Sequence, residues 1–211
     1  FTCRTLSRFV HGRVIFAGDA AHVVSPFGAR GGNSGVQDAD NLGWKLALVV
    51  KGVAPAALLE SYNIERLQAA RENIRQSTRS TDFITPKFPA SRAFRDAALD
   101  LAGDFPFARA MINSGRLSRP TRCADSPLHA ASDGGDWGRA PVPGDVLPDA
   151  PLANGAGTWV TEAVAGRFAV VTFADAPGQL PADTAAGVGA GPIPVEVLAV
   201  VPEAGARAAG W

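Results

Sequence analysis

The stretch Arg13 to Leu46, RVIFAGDAAHVVSPFGARGGNSGVQDADNLGWKL, places five glycines between Gly18 and Gly35, immediately ahead of a long apolar-periodic segment. Glycine without a Cβ adopts conformations closed to other residues and allows a ligand or a second backbone to come close. Such freedom directly before a helix suits either a tight turn or a loop shaped around a ligand, which the first N–H groups of the helix, left without intrahelical partners, could meet. The chain must therefore supply a strand, a glycine loop and a helix in that order. Val14, Ile15 and Phe16 predict a short buried strand over residues 13–17. Residues 19–32 read as loop. Asn33 or Ser34 caps a helix to about Val50 that Gly52 closes, with Asp38 and Asp40 placed to interact with its N-terminal dipole.

Downstream, Pro55 suits the start of a second helix that meets no glycine or proline until Pro86. Arg71, Arg75 and Arg79 recur every four residues along it and read as a solvated or interdomain face. Shorter helices are expected over residues 91–102 and 105–113. Composition then shifts: 11 of the 16 prolines, and none of the lysines, lie beyond Asn113. This predicts a domain boundary near residues 114–120, and an extended connector to about Gly157. TWVTEAV, RFAVVTFA and VEVLAVV follow as a helix start and two buried strands.

Twenty basic and 20 acidic residues cancel, so no electrostatic footprint for nucleic acid or an anionic membrane is present. No apolar run nears the ~20 residues that span a bilayer. The two cysteines, Cys3 and Cys123, are far apart and form no redox pair, which fits a reducing cytoplasm. With His11 and His129 they show no metal-ligand spacing, and no metal is expected. The N-terminus lacks a signal-peptide pattern, starts without Met and enters a strand almost at once, as a piece of a longer chain would.

Three uses of the glycine loop compete. A Walker loop needs Gly-Lys-Ser/Thr before the helix, and GGNSG has no lysine there. A nucleophile elbow needs G-x-S-x-G, which Gly32, Asn33, Ser34 and Gly35 do not spell. What remains is a loop that lets something flat and partly anionic approach a helix N-terminus; on spacing alone, such a site and a merely tight turn stay equally open. His22 reads as a packed histidine bonding backbone, and Arg30 as a solvent-exposed side chain with cofactor contact as the alternative. GVGAGP, residues 187–192, leads through prolines into a strand-like run and reads as a loop, not a dinucleotide fingerprint.

The string from Gly18 to Lys45 closely resembles the second flavin-binding motif of the class A flavoprotein aromatic hydroxylases, the p-hydroxybenzoate, phenol and 3-(3-hydroxyphenyl)propionate hydroxylase group. The matching pattern is G-D-A-A-H, P-x-G, G-x-N and D-x-x-N-L, here Gly18, Asp19, Ala20, Ala21, His22, Pro26, Gly28, Gly31, Asn33, Asp38, Asn41 and Leu42. SYNIER, residues 61–66, is similar to the following helix of the family. GTWVTEAVAGRFAVVTF is similar to the thioredoxin-like C-terminal domain of the phenol hydroxylase branch.

The resemblance implies an α/β fold: the C-terminal part of a Rossmann-like FAD-binding domain with long helices, then an incomplete thioredoxin-like α/β domain. The divisions expected are 1–115 (FAD-binding part), 116–157 (connector) and 158–211 (thioredoxin-like part). It implies FAD as cofactor, with Asp19 on a ribityl hydroxyl, Pro26 and Gly28 along the isoalloxazine, the N–H groups of Gly32 and Asn33 at the ring's O2/N1 edge, and Gly31 among the cofactor-binding residues. It further implies NAD(P)H as co-substrate, O2, a small aromatic substrate and a flavin-based hydroxylation. No catalytic residue is identified in this chain. A homodimer is compatible with the reading, with the cysteine-free thioredoxin-like part serving packing. The amino-terminal G-x-G-x-x-G and the middle D-G motif of the family are absent from the 211 residues, so the isolated chain is expected to bind FAD poorly. Two alternatives stay open: a non-catalytic association module, and a flavin monooxygenase acting on a polyketide or a halogenated phenol.

Overall fold

The computed structural model describes residues 2–27, 29–112, 119–130, 141–153, 159–173 and 191–201. Gly28, Asn113, most of the expected 114–120 boundary, most of GVGAGP and the end of the chain lie outside the described residues. The elements are β1 (Arg4–Thr5), β2 (Val10–His11), β3 (Val14–Ile15), a 3-10 turn (Gly18–Ala20), β4 (His22–Val23), α1 (Arg30–Val50), α2 (Leu58–Ile84), α3 (Pro89–Asp104), α4 (Pro106–Ile112), α5 (Val160–Val164), β5 (Phe168–Phe173) and β6 (Val195–Val200). The chain divides into two compact units, Phe1–Ala131 with Pro143–Asp145, and Ser132–Val142 with Val146–Trp211.

In the first unit β1 pairs antiparallel with β4, Arg4 opposite Val23, and β2 pairs antiparallel with β3, Val10 opposite Ile15. The two-residue Gly12-Arg13 turn, with Gly12 at φ +60°, joins β2 to β3 as a tight hairpin. The expected buried strand over 13–17 is thus only Val14–Ile15, and Val14 is exposed. Among the described residues β3 pairs on one side alone, so alternate residues face outward and a continuous apolar run does not mean full burial.

Helix α1 starts at Arg30, three residues ahead of the expected cap, with Ala29 at φ +50° holding the N-cap position. Its far end behaves as the glycine predicts. Gly52 is left-handed at φ +71°, its N–H donates to the Val49 carbonyl, and the Val53 N–H donates to Leu48, a Schellman closure. Helix α2 runs without a breaker as the sequence indicates. Arg71, Arg75 and Arg79 are exposed, as a solvated face requires. Pro89 and Pro106 stand at the first positions of α3 and α4, where a missing N–H costs nothing.

The core of this unit is Phe9, Val10, Ala21, Leu59, Tyr62, Leu67 and Ala70, with Ile15, Phe16, Leu42 and Val49 packed against it. Tyr62 is fully buried, and its hydroxyl donates to the Phe16 carbonyl at 2.8 Å. The Phe9 N–H donates to Asn63 Oδ1 at 2.7 Å, so α2 also holds the first hairpin. In the second unit β5 and β6 pair in parallel, Phe168 opposite Val195 through Phe173 opposite Val200, and α5 precedes them.

Candidate functional site

The glycine loop wraps the N-terminus of α1, and α2 fixes it from beneath. Gly18 takes φ +57°, and a Cβ built on Gly35 would lie 3.6 Å from the Gly18 Cα, so the 3-10 turn rests directly on α1. The sequence-predicted site residues sit on the outer side of this arrangement: Asp19, Pro26, Gly32 and Asn33 are exposed and Gly31 is half-buried. Gly28 lies outside the described residues. Because α1 begins at Arg30, the first-turn N–H groups that the helix itself leaves without a partner include those of Gly31 and Gly32. Asn33 is the fourth helical residue, and its side-chain Nδ2 donates back to the Ala29 carbonyl at 2.8 Å. The first turn holds no acidic side chain, and a Cβ on Gly32 would meet nothing within 4 Å. Donors and dipole therefore coincide at Gly31 and Gly32, with open space at Gly32.

Under this surface lies a charged cluster that the sequence reading did not find. Asp38 is fully buried. Its Oδ2 accepts from the Gly18 N–H at 2.9 Å and from His22 Nε2 at 2.6 Å, and its Oδ1 accepts from Arg66 Nε at 2.6 Å. Arg66 Nη2 then donates to the Ser34 carbonyl, Ser34 Oγ and Gln37 Oε1, each at 3.3 Å. Asp38 was expected to serve the helix dipole, but it stands more than two turns into α1, where that effect has faded. Burial pushes its carboxyl upward, yet the bonds from His22 and Arg66, the guanidinium charge and the Gly18 N–H together hold it below the usual carboxylate range.

Two further expectations are corrected. His22 is packed, 5.8 Å from the Phe9 ring, but its partner is the Asp38 carboxylate and not backbone. Since a carboxylate only accepts, the Nε2 carries the proton, and the buried Nδ1 has no hydrogen-bond partner among the described residues. Arg30 is half-buried: it donates to Asn73 Oδ1 and, at 3.1 Å, to the Arg119 carbonyl. Its long side chain turns along α2 because Asn73 and the 119 segment offer acceptors there.

The rest of α2 continues the clamp. Asn73 Nδ2 donates to Ser34 Oγ at 3.2 Å, and the Ser77 hydroxyl donates to the Ser25 and Phe27 carbonyls at 3.2 and 3.1 Å. The Thr81 hydroxyl lies 2.9 Å from Ser25 Oγ. Asn73, Ser77 and Thr81 are spaced by four, so a polar stripe facing the loop was readable in the sequence as a helix face. What it faces was not.

A second buried cluster joins the same helices nearer the end of α1. Glu65 Oε2 accepts from Lys45 Nζ at 2.6 Å and from Asn41 Nδ2 at 2.7 Å, while Oε1 accepts from the Ser126 hydroxyl at 2.5 Å. Burial raises the Glu65 carboxyl, but donation from Lys45, Ser126 and Asn41 and the Lys45 charge outweigh it and hold the group low. Burial, with Glu65 adding to it, pushes the Cys123 thiol up, away from nucleophilic reactivity. Among the described residues no three His, Cys, Asp or Glu side chains are grouped to hold a metal ion, and no helix is long and apolar enough to cross a membrane.

Residues 2–77 match the family described as an FAD binding domain. A 3-(3-hydroxy-phenyl)propionate/3-hydroxycinnamic acid hydroxylase of Mycolicibacterium vanbaalenii is 42% identical over 109 residues, 52% of this chain and 19% of that protein. A protein of the same description from Comamonas testosteroni is 33% identical over 170 residues, covering 78% of this chain and 29% of its own length. Among solved structures, CabE, an aromatic hydroxylase from angucycline biosynthesis, aligns with a TM-score of 0.71 at 29% identity over 99% of this chain and 39% of its own. The chain thus spans less than a third of these two curated relatives.

Proposed function

From its kinship with the flavoprotein aromatic hydroxylases, we propose that this chain is the flavin-edge portion of an FAD-dependent monooxygenase that hydroxylates a phenol-like ring with NAD(P)H and O2. In balance, NAD(P)H, a proton, O2 and an aromatic C–H become NAD(P)+, water and a C–OH. The observation that carries the reading is the open first turn of α1 beside Asp19, inside the residues 2–77 that match the FAD binding domain.

The donor set fits a flavin. Gly31 and Gly32 offer N–H groups at the positive end of a 21-residue helix, with open space before Gly32. These donors and the helix dipole would hold negative charge at a flavin edge; the dipole is worth about 0.3–1 kcal/mol when exposed and up to ~2 when partly buried. Asn33 adds to this turn by tying its side chain to Ala29, the residue before the helix. Asp19, exposed on the adjoining 3-10 turn, would accept from a ribityl hydroxyl, and the exposed Pro26 would border the ring. When bound, FAD supplies the hydride acceptance and oxygen activation; the protein's part is to hold it and keep water off.

We read the first unit as part of a Rossmann-like FAD-binding domain. The second unit is read as part of a thioredoxin-like domain: its parallel β5–β6 pair supports this, and the absence of cysteine beyond Cys123 gives it a packing or dimer role instead of redox work. A second substrate reading, a polycyclic polyketide, is favoured by CabE, whose match takes in almost the whole chain.

Asp19→Ala in the full-length protein tests the site. Loss of one charge-assisted hydrogen bond is expected to weaken FAD retention by about tenfold or more. Wild-type flavin occupancy after gel filtration would count against the role. Product analysis with simple phenols against polycyclic phenols separates the two substrate readings.

A further inference from the structure

The Asp38–Arg66 pair lies beneath the proposed flavin site and touches none of its outward-facing groups. Yet it joins the two pieces of backbone on which that site depends. Through Oδ2 Asp38 holds the Gly18 N–H, one residue from Asp19. Through Oδ1 it holds Arg66, whose other arm reaches the Ser34 carbonyl and hydroxyl, two residues from Gly32. Asp38, Arg66 and His22 are all more than nine-tenths buried, so no solvent competes for these bonds.

Building on the flavin-site reading, we propose that Asp38 and Arg66 are positioning residues that lock the Gly18–Asp19 turn to the first turns of α1, setting the separation between the ribityl acceptor and the ring-edge donors. The chemistry requires a carboxylate. Three donors converge on Asp38, two on one oxygen and one on the other, and an amide of the same shape has a single acceptor oxygen. In Asp38→Asn, the NH2 group must face either Arg66 or the Gly18–His22 pair. The turn and the helix then lose their common anchor. Arginine is required for the complementary reason: Nε and Nη2 bond Asp38 and Ser34 at once, and an ammonium is a single point that lacks this fork.

The same two helices carry an internal comparison. Glu65, with Lys45, Asn41 and Ser126, is as deeply buried and as fully bonded, but it contacts neither the glycine loop nor the first turn of α1. A purely structural role for Asp38 predicts that damage to either cluster acts alike. A positioning role separates them.

The experiment uses the full-length protein carrying Asp38→Asn, Arg66→Lys or Glu65→Gln. It measures the FAD dissociation constant by flavin fluorescence, the visible circular dichroism of the bound flavin and the melting temperature of the apoprotein. Asp38→Asn and Arg66→Lys are expected to raise the FAD Kd by about tenfold or more, the worth of one charge-assisted bond, and to change the flavin dichroism. Glu65→Gln is expected to lower the melting temperature while leaving Kd within about threefold of wild type and the dichroism intact, as an uncoupled distant site should. If Asp38→Asn does not fold, Arg66→Lys decides alone. Wild-type Kd and dichroism in the Asp38 or Arg66 variant, or an equal rise in Kd in Glu65→Gln, overturns the proposal. Failure of the flavin-site reading is distinct: there Asp19→Ala itself binds FAD normally.

Discussion

Lys45→Met isolates the energetics of the α1–α2 interface. The ammonium is inaccessible to solvent, and it donates to Glu65 at 2.6 Å and to Asn41 Oδ1 at 2.9 Å. Methionine fills a similar volume but leaves the Glu65 carboxylate, 7% exposed, without its counter-charge. Removing one partner of a buried pair costs about 3–5 kcal/mol. Asn41 and Ser126 still donate to Glu65, which places the expected cost near the lower end, about 3 kcal/mol. The loss should depend on pH in a defined sense. In the native protein Glu65 has a lowered carboxyl pKa, so its contribution is present above the unfolded value of about 4.3 and vanishes as pH falls through the folded one. In Lys45→Met burial dominates, and the folded pKa rises above the unfolded one. Protonation then relieves the variant at acid pH, and its deficit shrinks by about 1.4 kcal/mol per pH unit below that raised value. Urea unfolding followed by tryptophan fluorescence, to which Trp44 on α1 contributes, measures both effects at pH 7 and pH 5. Adding Glu65→Gln to Lys45→Met should cost less than the sum of the single changes, with a coupling of about 1–3 kcal/mol. A deficit under about 1 kcal/mol, or one identical at both pH values, refutes the reasoning.

Two other substitutions set the scale at either extreme. Gly144→Ala places a Cβ 2.6 Å from the Cys123 carbonyl oxygen and 2.8 Å from His129 Cε1, at φ +90°; it is expected to cost about 2 kcal/mol or more in the same urea assay, from left-handed strain and overpacking together. Glu60→Gln removes the charge facing Arg8 in a pair whose side chains are 48% and 39% exposed. It should change stability by less than about 1 kcal/mol, and its effect should fade in added salt.

The parts legible in the sequence are those decided by residues close along the chain. Gly52 closes α1 because a left-handed residue is needed there and glycine supplies it. Helix α2 was readable from the lack of any breaker between Pro55 and Pro86, and the open loop from glycines that no phosphate or nucleophile motif explained. The start of α1 was misplaced because Asn33 and Ser34 look like caps; instead Ala29 turns the chain, and Ser34 is buried as an acceptor for Arg66 and Asn73. Asp38 misled for a related reason. Its surroundings are set by Arg66, 28 positions away, and by a histidine across the turn, while its neighbours in sequence suggest only an acid on a helix. Burial of a charge is a tertiary property, and periodicity cannot announce it.

This also divides the letters of the motif by task. In D-x-x-N-L-x-x-K, here Asp38, Asn41, Leu42 and Lys45, the spacing of three, four and seven puts every residue on one face of α1. That face meets α2: Asp38 meets Arg66, Asn41 and Lys45 meet Glu65, and Leu42 packs on the core. None of the four is among the exposed residues proposed to face the flavin. On the proposed reading the glycines and Asp19 address the cofactor, while the acid, amide and lysine address the neighbouring helix. An apolar seam could stabilise two helices as well, but it would let them slide or rotate with little penalty. Directional bonds at both ends of the contact, Asp38–Arg66 and Lys45–Glu65, penalise any shift by leaving a buried charge unpaired. A site assembled from a turn on one side and a helix start on the other needs that fixed registry more than it needs extra stability. The polar letters of the motif are thus explained by geometry at a distance, and the glycine letters, on the proposed reading, by contact.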